Sequence, residues 1–60
     1  MNSSLLRSLS RQAIETVDVK PDEQFDIDEL CKLGLAKTHS VQGWVYYVIT
    51  KEGIDALAKR

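Results

Sequence analysis

Apolar residues near the start of the chain recur at steps of three and four positions, which is the spacing of one face of an α-helix. The residues of this stripe are Leu5, Leu6, Leu9, Ala13 and Val17, widened by Ile14. The residue before a proline avoids helical dihedral angles, so Pro21 indicates that the helix ends before it. The pattern predicts a helix over residues 3–17. A polar connection over residues 18–24 follows, and the alternation of Val17 and Val19 with polar residues permits a very short strand there.

A second, shorter helix is indicated by its start and stop signals. Asp26 and Glu29 have the spacing of a capping box. Gly34 follows at the place where a helix commonly ends in a left-handed residue. The signals predict a helix from Ile27 to Leu33. Its expected staple pair is Phe25 and Leu30, and its expected buried residues are Ile27 and Leu30, with Cys31 beside them.

A β-hairpin is predicted by the unbroken aromatic and β-branched run Trp44–Ile49, which is typical of a strand. Leu35–His39 forms the expected first strand, and Ser40–Gly43 forms the turn, with Gly43 free to take a positive φ. Successive strand residues point to opposite faces. One face of the second strand carries Trp44, Tyr46 and Val48, and the other carries Val45, Tyr47 and Ile49. Both faces are apolar, so we expect one to pack on the core and the other to be covered by a helix or a partner chain.

A third helix is predicted to begin after Thr50, whose hydroxyl is a natural N-cap. Glu52 lies in its first turn, where a negative charge is favoured. Ile49 and Ile54 have the spacing of a hydrophobic staple. The residues expected to face inward are Ile54, Leu57 and Ala58. The elements together predict a small α+β domain over residues 1–60, in the order helix, short helix, hairpin and C-terminal helix.

Length and composition limit what such a domain can do. The chain has 60 residues, 43% of them hydrophobic and 28% charged. A chain of this size buries only about 60% of the surface that it exposes when unfolded. That excludes a two-domain enzyme and a large ligand cavity. The polar start Met1-Asn2-Ser3-Ser4 is unlike a secretory signal, and no apolar run is long enough to span a bilayer. We therefore expect a soluble, cytoplasmic protein that does not enter membranes.

Enzyme chemistry and metal binding lack the residues that they need. Cys31 is the single cysteine and His39 the single histidine. We expect Cys31 to be a small core residue and His39 an exposed turn residue. Two such ligands are too few for a zinc site, and the wide spacing of Gly34, Gly43 and Gly53 excludes a glycine-rich phosphate loop. The sequence predicts a non-enzymatic protein with no metal and no cofactor.

Charge is distributed unevenly along the chain, although the net charge is only −1. Residues 18–29 carry six carboxylates against one lysine, whereas residues 30–60 carry five basic residues against two acidic ones. Such a distribution could steer a basic partner to the centre of the chain or a nucleic acid to its C-terminal half.

Two sequence phrases within Glu29–Ile54 resemble the winged-helix transcriptional regulators of the MarR and PadR type. Leu30–Leu35 resembles the end of the helix before the wing, and Tyr47–Gly53 resembles the close of the second wing strand and the start of the next helix. The resemblance implies a winged-helix-like fold, in which Gly34 turns the chain into the wing and Thr50 caps the following helix. It also implies a DNA-binding regulator of transcription.

The function predicted from the residues and this resemblance is DNA binding, with the chain acting as a homodimer. The residues expected to contact nucleic acid are Lys37, His39, Gln42 and Trp44 around the wing, helped by Lys51, Arg7 and Arg11. The alternative is an acidic, winged-helix-like protein-interaction module, of viral or mobile-element origin, that modulates a partner protein. Asp28 and Glu29 favour this alternative, because carboxylates on the helix before the wing would repel phosphate.

Overall fold

A computed structural model describes residues 3–59. These residues form three α-helices and a three-stranded antiparallel sheet. In chain order the elements are α1 (Ser3–Arg11), β1 (Ile14–Glu15), a 3₁₀ turn (Thr16–Asp18), α2 (Pro21–Lys32), β2 (Ala36–Val41), β3 (Trp44–Ile49) and α3 (Lys51–Ala58). The strand order is β1–β3–β2, so β3 is the central strand. The predicted α+β class and its order of helix, helix, hairpin and helix are confirmed.

The first helix is shorter than its apolar stripe predicts, and the expected extension to Val17 is wrong. α1 ends at Arg11, and β1 pairs with β3 through Ile14 opposite Tyr47 and Glu15 opposite Tyr46. This pairing occupies one edge of the central strand, which would otherwise present unpaired backbone groups. The short strand therefore lies before Val17, and Val17 itself, in the 3₁₀ turn, is 77% exposed.

The second helix begins six residues earlier than predicted, because Pro21 starts it. Proline suits the first helical position, where its missing N–H costs nothing and its φ is already helical. The backbone N–H of Lys20 donates to Oε1 of Glu23 at 3.3 Å, as in the reciprocal half of a capping box. Phe25 consequently lies inside the helix and is 78% exposed, so the expected staple with Leu30 is not formed.

The end of α2 is as predicted from Gly34, which has a φ of 79°. Its N–H donates to the Cys31 carbonyl at 3.1 Å, and the N–H of Leu35 donates to the Leu30 carbonyl at 2.9 Å. These two bonds form a Schellman motif. The chain therefore turns sharply out of α2 and into β2.

The hairpin has a shorter turn and a longer first strand than predicted. β2 and β3 pair from Ala36 opposite Ile49 to Val41 opposite Trp44. The turn consists of Gln42 and Gly43 alone, with φ values of 50° and 86°. Two positive φ values are characteristic of the type I′ turn, whose twist matches that of the strands it joins. The positive φ predicted for Gly43 is confirmed.

The hairpin base is held by bonds that meet at Thr50. Its backbone N–H donates to the Leu35 carbonyl at 3.0 Å, and its hydroxyl donates to the Gly34 carbonyl at 2.6 Å. The same hydroxyl accepts from the N–H of Gly53 at 3.1 Å, which confirms Thr50 as the N-cap of α3. We call this set of bonds the base clasp. It joins the end of α2 to the start of α3.

α3 approaches the hairpin base so closely that only glycine fits at position 53. A Cβ there would overlap the Leu35 carbonyl oxygen and lie 2.6 Å from Cγ1 of Ile49. This contact sets which side of α3 faces inward. Two of the three residues expected to face inward do not: Ile54 is 53% exposed, and Ala58 is exposed as well. The residues that do are Gly53, Ala56 and Leu57.

The core lies between the helices and one face of the sheet. Its buried residues are Leu5, Leu6, Leu9, Ile27, Leu30 and Ala36. Tyr47 and Ile49 of β3 pack against this cluster, and the amide of Gln24 on α2 donates to the Tyr47 hydroxyl at 3.2 Å. Both α1 and α2 therefore lie on the same side of the sheet. Within residues 3–59, no helix has the length and apolar character needed to cross a bilayer.

Candidate nucleic-acid interface

The register of the sheet assigns each side chain to one of two faces. Directly opposed residues of antiparallel strands share a face. Because Tyr47 and Ile49 face the core, their neighbours Tyr46 and Val48 point the other way. The opposite side, which we call the outer face, carries Lys37, His39 and Val41 of β2, Trp44, Tyr46 and Val48 of β3, and Glu15 of β1.

The outer face is rich in aromatic rings. Tyr46 occupies its centre, with His39 opposite on β2 and Glu15 opposite on β1. Trp44 lies two positions along β3, which places its Cα about 6.7 Å from that of Tyr46. Trp44 is 58% exposed, His39 is exposed and Tyr46 is half-buried between its neighbours. The sheet therefore presents rings on the side away from the helices.

The chain in and around the hairpin carries lysines and no carboxylates. From Leu30 to Lys51 the sequence contains Lys32 at the end of α2, Lys37 in β2 and Lys51 at the start of α3, and no aspartate or glutamate. Lys37 is exposed on the outer face, and Lys51 is exposed at the start of α3, beside the base clasp. The pairing of β1 with β3 places one carboxylate, that of Glu15, on this face. The outer face therefore carries one positive side chain, Lys37, and one negative side chain, Glu15, with Lys51 near the hairpin base.

The structure brings together only part of the predicted contact set. Lys37, His39 and Trp44 share the outer face, and Gln42 lies at the tip of the same hairpin. His39 is exposed as predicted, but it belongs to β2 and not to the turn. Lys51 is at the opposite end of the hairpin from Gln42. Arg7 and Arg11 are exposed on α1, on the core side of the sheet, and so do not join this face.

Sequence reasoning missed two residues of interest. Tyr46 is central to the outer face, and its signal was present in the alternation that it shares with Trp44. Phe25 is an exposed aromatic on α2, where it lines a shallow depression of about 280 Å³ with Asp28, Glu29 and Lys32. Its exposure follows from the early start of α2 at Pro21, which in the sequence indicates instead the end of a helix.

α2 precedes the hairpin, and its charge is unsuited to contact with DNA. Its carboxylates are Asp22, Glu23, Asp26, Asp28 and Glu29, against the single Lys32. Such a surface repels phosphate. α2 is therefore an unfavourable surface for nucleic acid.

Cys31 has the environment of a packing residue. It is half-buried against the core. Burial, and to a lesser extent the negative charge of Asp28, raise the pKa of its thiol above the ordinary value. The thiolate is the reactive form, so this environment leaves less of Cys31 reactive at neutral pH. Among residues 3–59, no three His, Cys, Asp or Glu side chains are grouped so that they could hold a metal ion.

Comparison with known proteins gives no relative: no protein-family model, curated protein or solved structure matches the chain.

Proposed function

We propose that the chain is a small, non-enzymatic DNA-binding regulator of winged-helix type, which contacts DNA through its hairpin. The observation that supports this most is the shared position of Lys37, His39 and Trp44 on an exposed sheet face. Lysine supplies the charge that phosphate contact requires. The ring nitrogens of His39 and the amide of Gln42 supply hydrogen bonds to phosphate, sugar or base edges.

The hairpin has the dimensions for this contact. A two-stranded ribbon fits the major groove of DNA, which is about 12 Å wide. The tight turn at Gln42 and Gly43 keeps the tip narrow. Because the helices pack on the other side of the sheet, the outer face and tip can approach a duplex without a clash from α1 or α2.

Few phosphates are contacted in this arrangement, so affinity should be modest for one chain. With two or three lysines engaged, the logarithm of the binding constant should fall with a slope of about −2 to −3 against the logarithm of salt concentration. A homodimer, which is part of the proposal, doubles the number of contacts and spaces two hairpins along the duplex.

The test is fluorescence anisotropy of a labelled random duplex, titrated with the protein at low and at physiological salt. The double variant Lys37→Glu with Lys51→Glu should abolish binding and leave the circular dichroism spectrum unchanged. The matched control is Lys20→Glu with Lys59→Glu, which makes the same change in net charge at exposed positions away from the hairpin and from the base clasp. The control should bind within a few-fold of the parent protein.

Two results would contradict the proposal. Equal losses in both double variants would show that binding follows net charge and not the hairpin. Absence of binding to duplex at low salt would remove contact with duplex DNA as the basis of function. Sedimentation of the protein alone and with duplex tests the homodimer separately.

A second function, the protein-interaction module, is favoured by Phe25. This ring is 78% exposed on an acidic helix surface, beside Asp28 and Glu29. An apolar anchor surrounded by carboxylates suits a partner segment with an apolar residue among basic ones. Calorimetric titration with a peptide of alternating lysine and leucine should show binding that Phe25→Ala weakens. Val17→Ala, which removes an equally exposed apolar side chain outside α2, should leave that binding unchanged.

A further inference from the structure

The aromatic rings of the outer face have no task in a contact made through phosphates alone. In a duplex, the flat surface of each base is covered by the bases above and below it. A protein ring can then reach only base edges and backbone. In an unpaired strand the flat surfaces are free, and aromatic side chains stack on them whatever the base.

We propose that the outer face binds an unpaired nucleic-acid strand, with successive bases stacked on Trp44 and Tyr46. The inference rests on the proposed function, since it names the form of nucleic acid that the same hairpin takes. Trp44 offers the more exposed ring, at 58%, and Tyr46 lies beside it on the same face of β3. His39, opposite Tyr46, lies next to the second stacking position.

The position of the rings on a sheet suits this task. Side chains on a strand stand roughly perpendicular to the sheet. Residues two apart on one strand are separated by about 6.7 Å, so each ring can meet its own base. The register across β2 and β3 is continuous from Ala36 to the turn, which holds these rings on a paired backbone and not on a loop.

Charge distinguishes this occupant from others. The hairpin contains Lys37 and no carboxylate of its own, and the charge of Lys37 attracts a polyanion, while Glu15 of β1 opposes this at the far side of Tyr46. Lys37 lies on the same face as the rings, two positions from His39 along β2, and can contact a phosphate of the bound strand. With one to three phosphates neutralised, the salt slope for a single strand should be shallow, about −0.7 to −2. Stacking, which salt screens little, should carry much of the affinity.

Trp44 is the single tryptophan of the chain, so its fluorescence reports directly on the proposed stacking position. The full chain is titrated with an unlabelled oligothymidylate of about twelve nucleotides, and separately with a duplex of similar length. Labelled copies of both are followed by anisotropy in parallel. The expected result is quenching of Trp44 by the oligothymidylate, and tighter binding of the single strand than of the duplex.

Variants then assign the contact to the ring. Trp44→Ala should weaken single-strand binding between about fivefold and a hundredfold, the range of one lost base stack. Trp44→Phe keeps a ring and should recover most of that loss. Phe25→Ala is the matched control, because it removes an exposed aromatic ring on α2, and it should change the affinity less than twofold.

The outcomes separate this proposal from the one on which it rests. If the duplex binds through Lys37 and Lys51 while Trp44→Ala has no effect and the oligothymidylate does not quench, DNA binding stands and stacking is overturned. If neither nucleic acid binds at low salt, both proposals are overturned. A concentration-dependent change in Trp44 emission without nucleic acid, with no binding of oligothymidylate, would show that a second copy covers this face, and that also overturns stacking.

Discussion

Replacement of Gly53 by alanine tests how tightly α3 is held against the hairpin base. The added methyl group would overlap the Leu35 carbonyl oxygen and lie 2.6 Å from Cγ1 of Ile49. The Ile49 side chain can rotate, but the carbonyl cannot easily move, because it accepts the N–H of Thr50 at 3.0 Å. Relief therefore requires α3 to shift away from the base clasp.

The two effects of this substitution oppose each other. Alanine in place of glycine favours a helix by up to about 1 kcal/mol. Overpacking costs about 1 to 3 kcal/mol, and the upper value applies because the obstacle is backbone. Loss of the Thr50–Leu35 hydrogen bond adds about 1 kcal/mol. We expect Gly53→Ala to lower the free energy of unfolding by about 3 kcal/mol, out of a total of about 3 to 9 kcal/mol for a chain of this length.

Urea denaturation followed by far-ultraviolet circular dichroism measures this change. The matched control is Gly34→Ala, whose added Cβ meets nothing within 4 Å and which is opposed only by its φ of 79°. That control should cost about 1 to 2 kcal/mol. If Gly53→Ala proved as stable as the parent protein, or more stable, helix propensity would outweigh the clash, and the close approach of α3 to Leu35 would be refuted.

The remaining predictions concern the two turns and the cysteine. Gly34→Val should lower the melting temperature more than Gly34→Asn, because a β-branched residue resists the left-handed conformation that asparagine tolerates; equal melting temperatures would count against the Schellman motif. Gln42→Asn should raise the free energy of unfolding, since asparagine suits the first position of a type I′ turn, and urea titration would detect the change. Alkylation of Cys31 near pH 8.5 should be slower than that of an unstructured cysteine peptide, because its raised pKa leaves less thiolate at that pH. Asp28→Asn should quicken the reaction, and an unchanged rate would show that this carboxylate does not affect the thiol.

Features controlled by neighbouring residues were predictable from the sequence. Gly34 ends α2 and Thr50 caps α3, because both act on backbone groups within a few positions of themselves. The features that were predicted wrongly depend on residues far away in the chain, or on a residue that is compatible with two structures. β1 forms because β3, more than thirty positions later, accepts it as a neighbour. A proline is compatible both with the end of a preceding helix and with the first position of a new one. The sequence around Pro21 did not decide between these two roles.

Part of the outer face was predictable because side chains alternate between the two faces of a strand. A turn over residues 40–43 would place His39 opposite Trp44, whereas the observed turn places His39 opposite Tyr46. The register differs by two positions, and a shift of two keeps every side chain on its face. Lys37, His39 and Trp44 therefore share a face under either register. The position of Arg7 and Arg11 depends on which side of the sheet α1 covers, and that is decided by packing.

Because of the base clasp, the length of the hairpin has little influence on the stability of the domain. Thr50 ties the hairpin to Gly34 and Leu35 at its base, and beyond Ala36 every residue of β2 is exposed. The distal half of the hairpin thus adds little to the core. Inserting two residues into each strand just before the turn would extend the tip by about 6.7 Å and preserve the alternation of faces. Inserting one residue into each strand would instead move the side chains at the tip to the opposite face of the sheet. The hairpin can therefore be lengthened in steps of two residues per strand while α2 and α3, which the base clasp joins, stay in place.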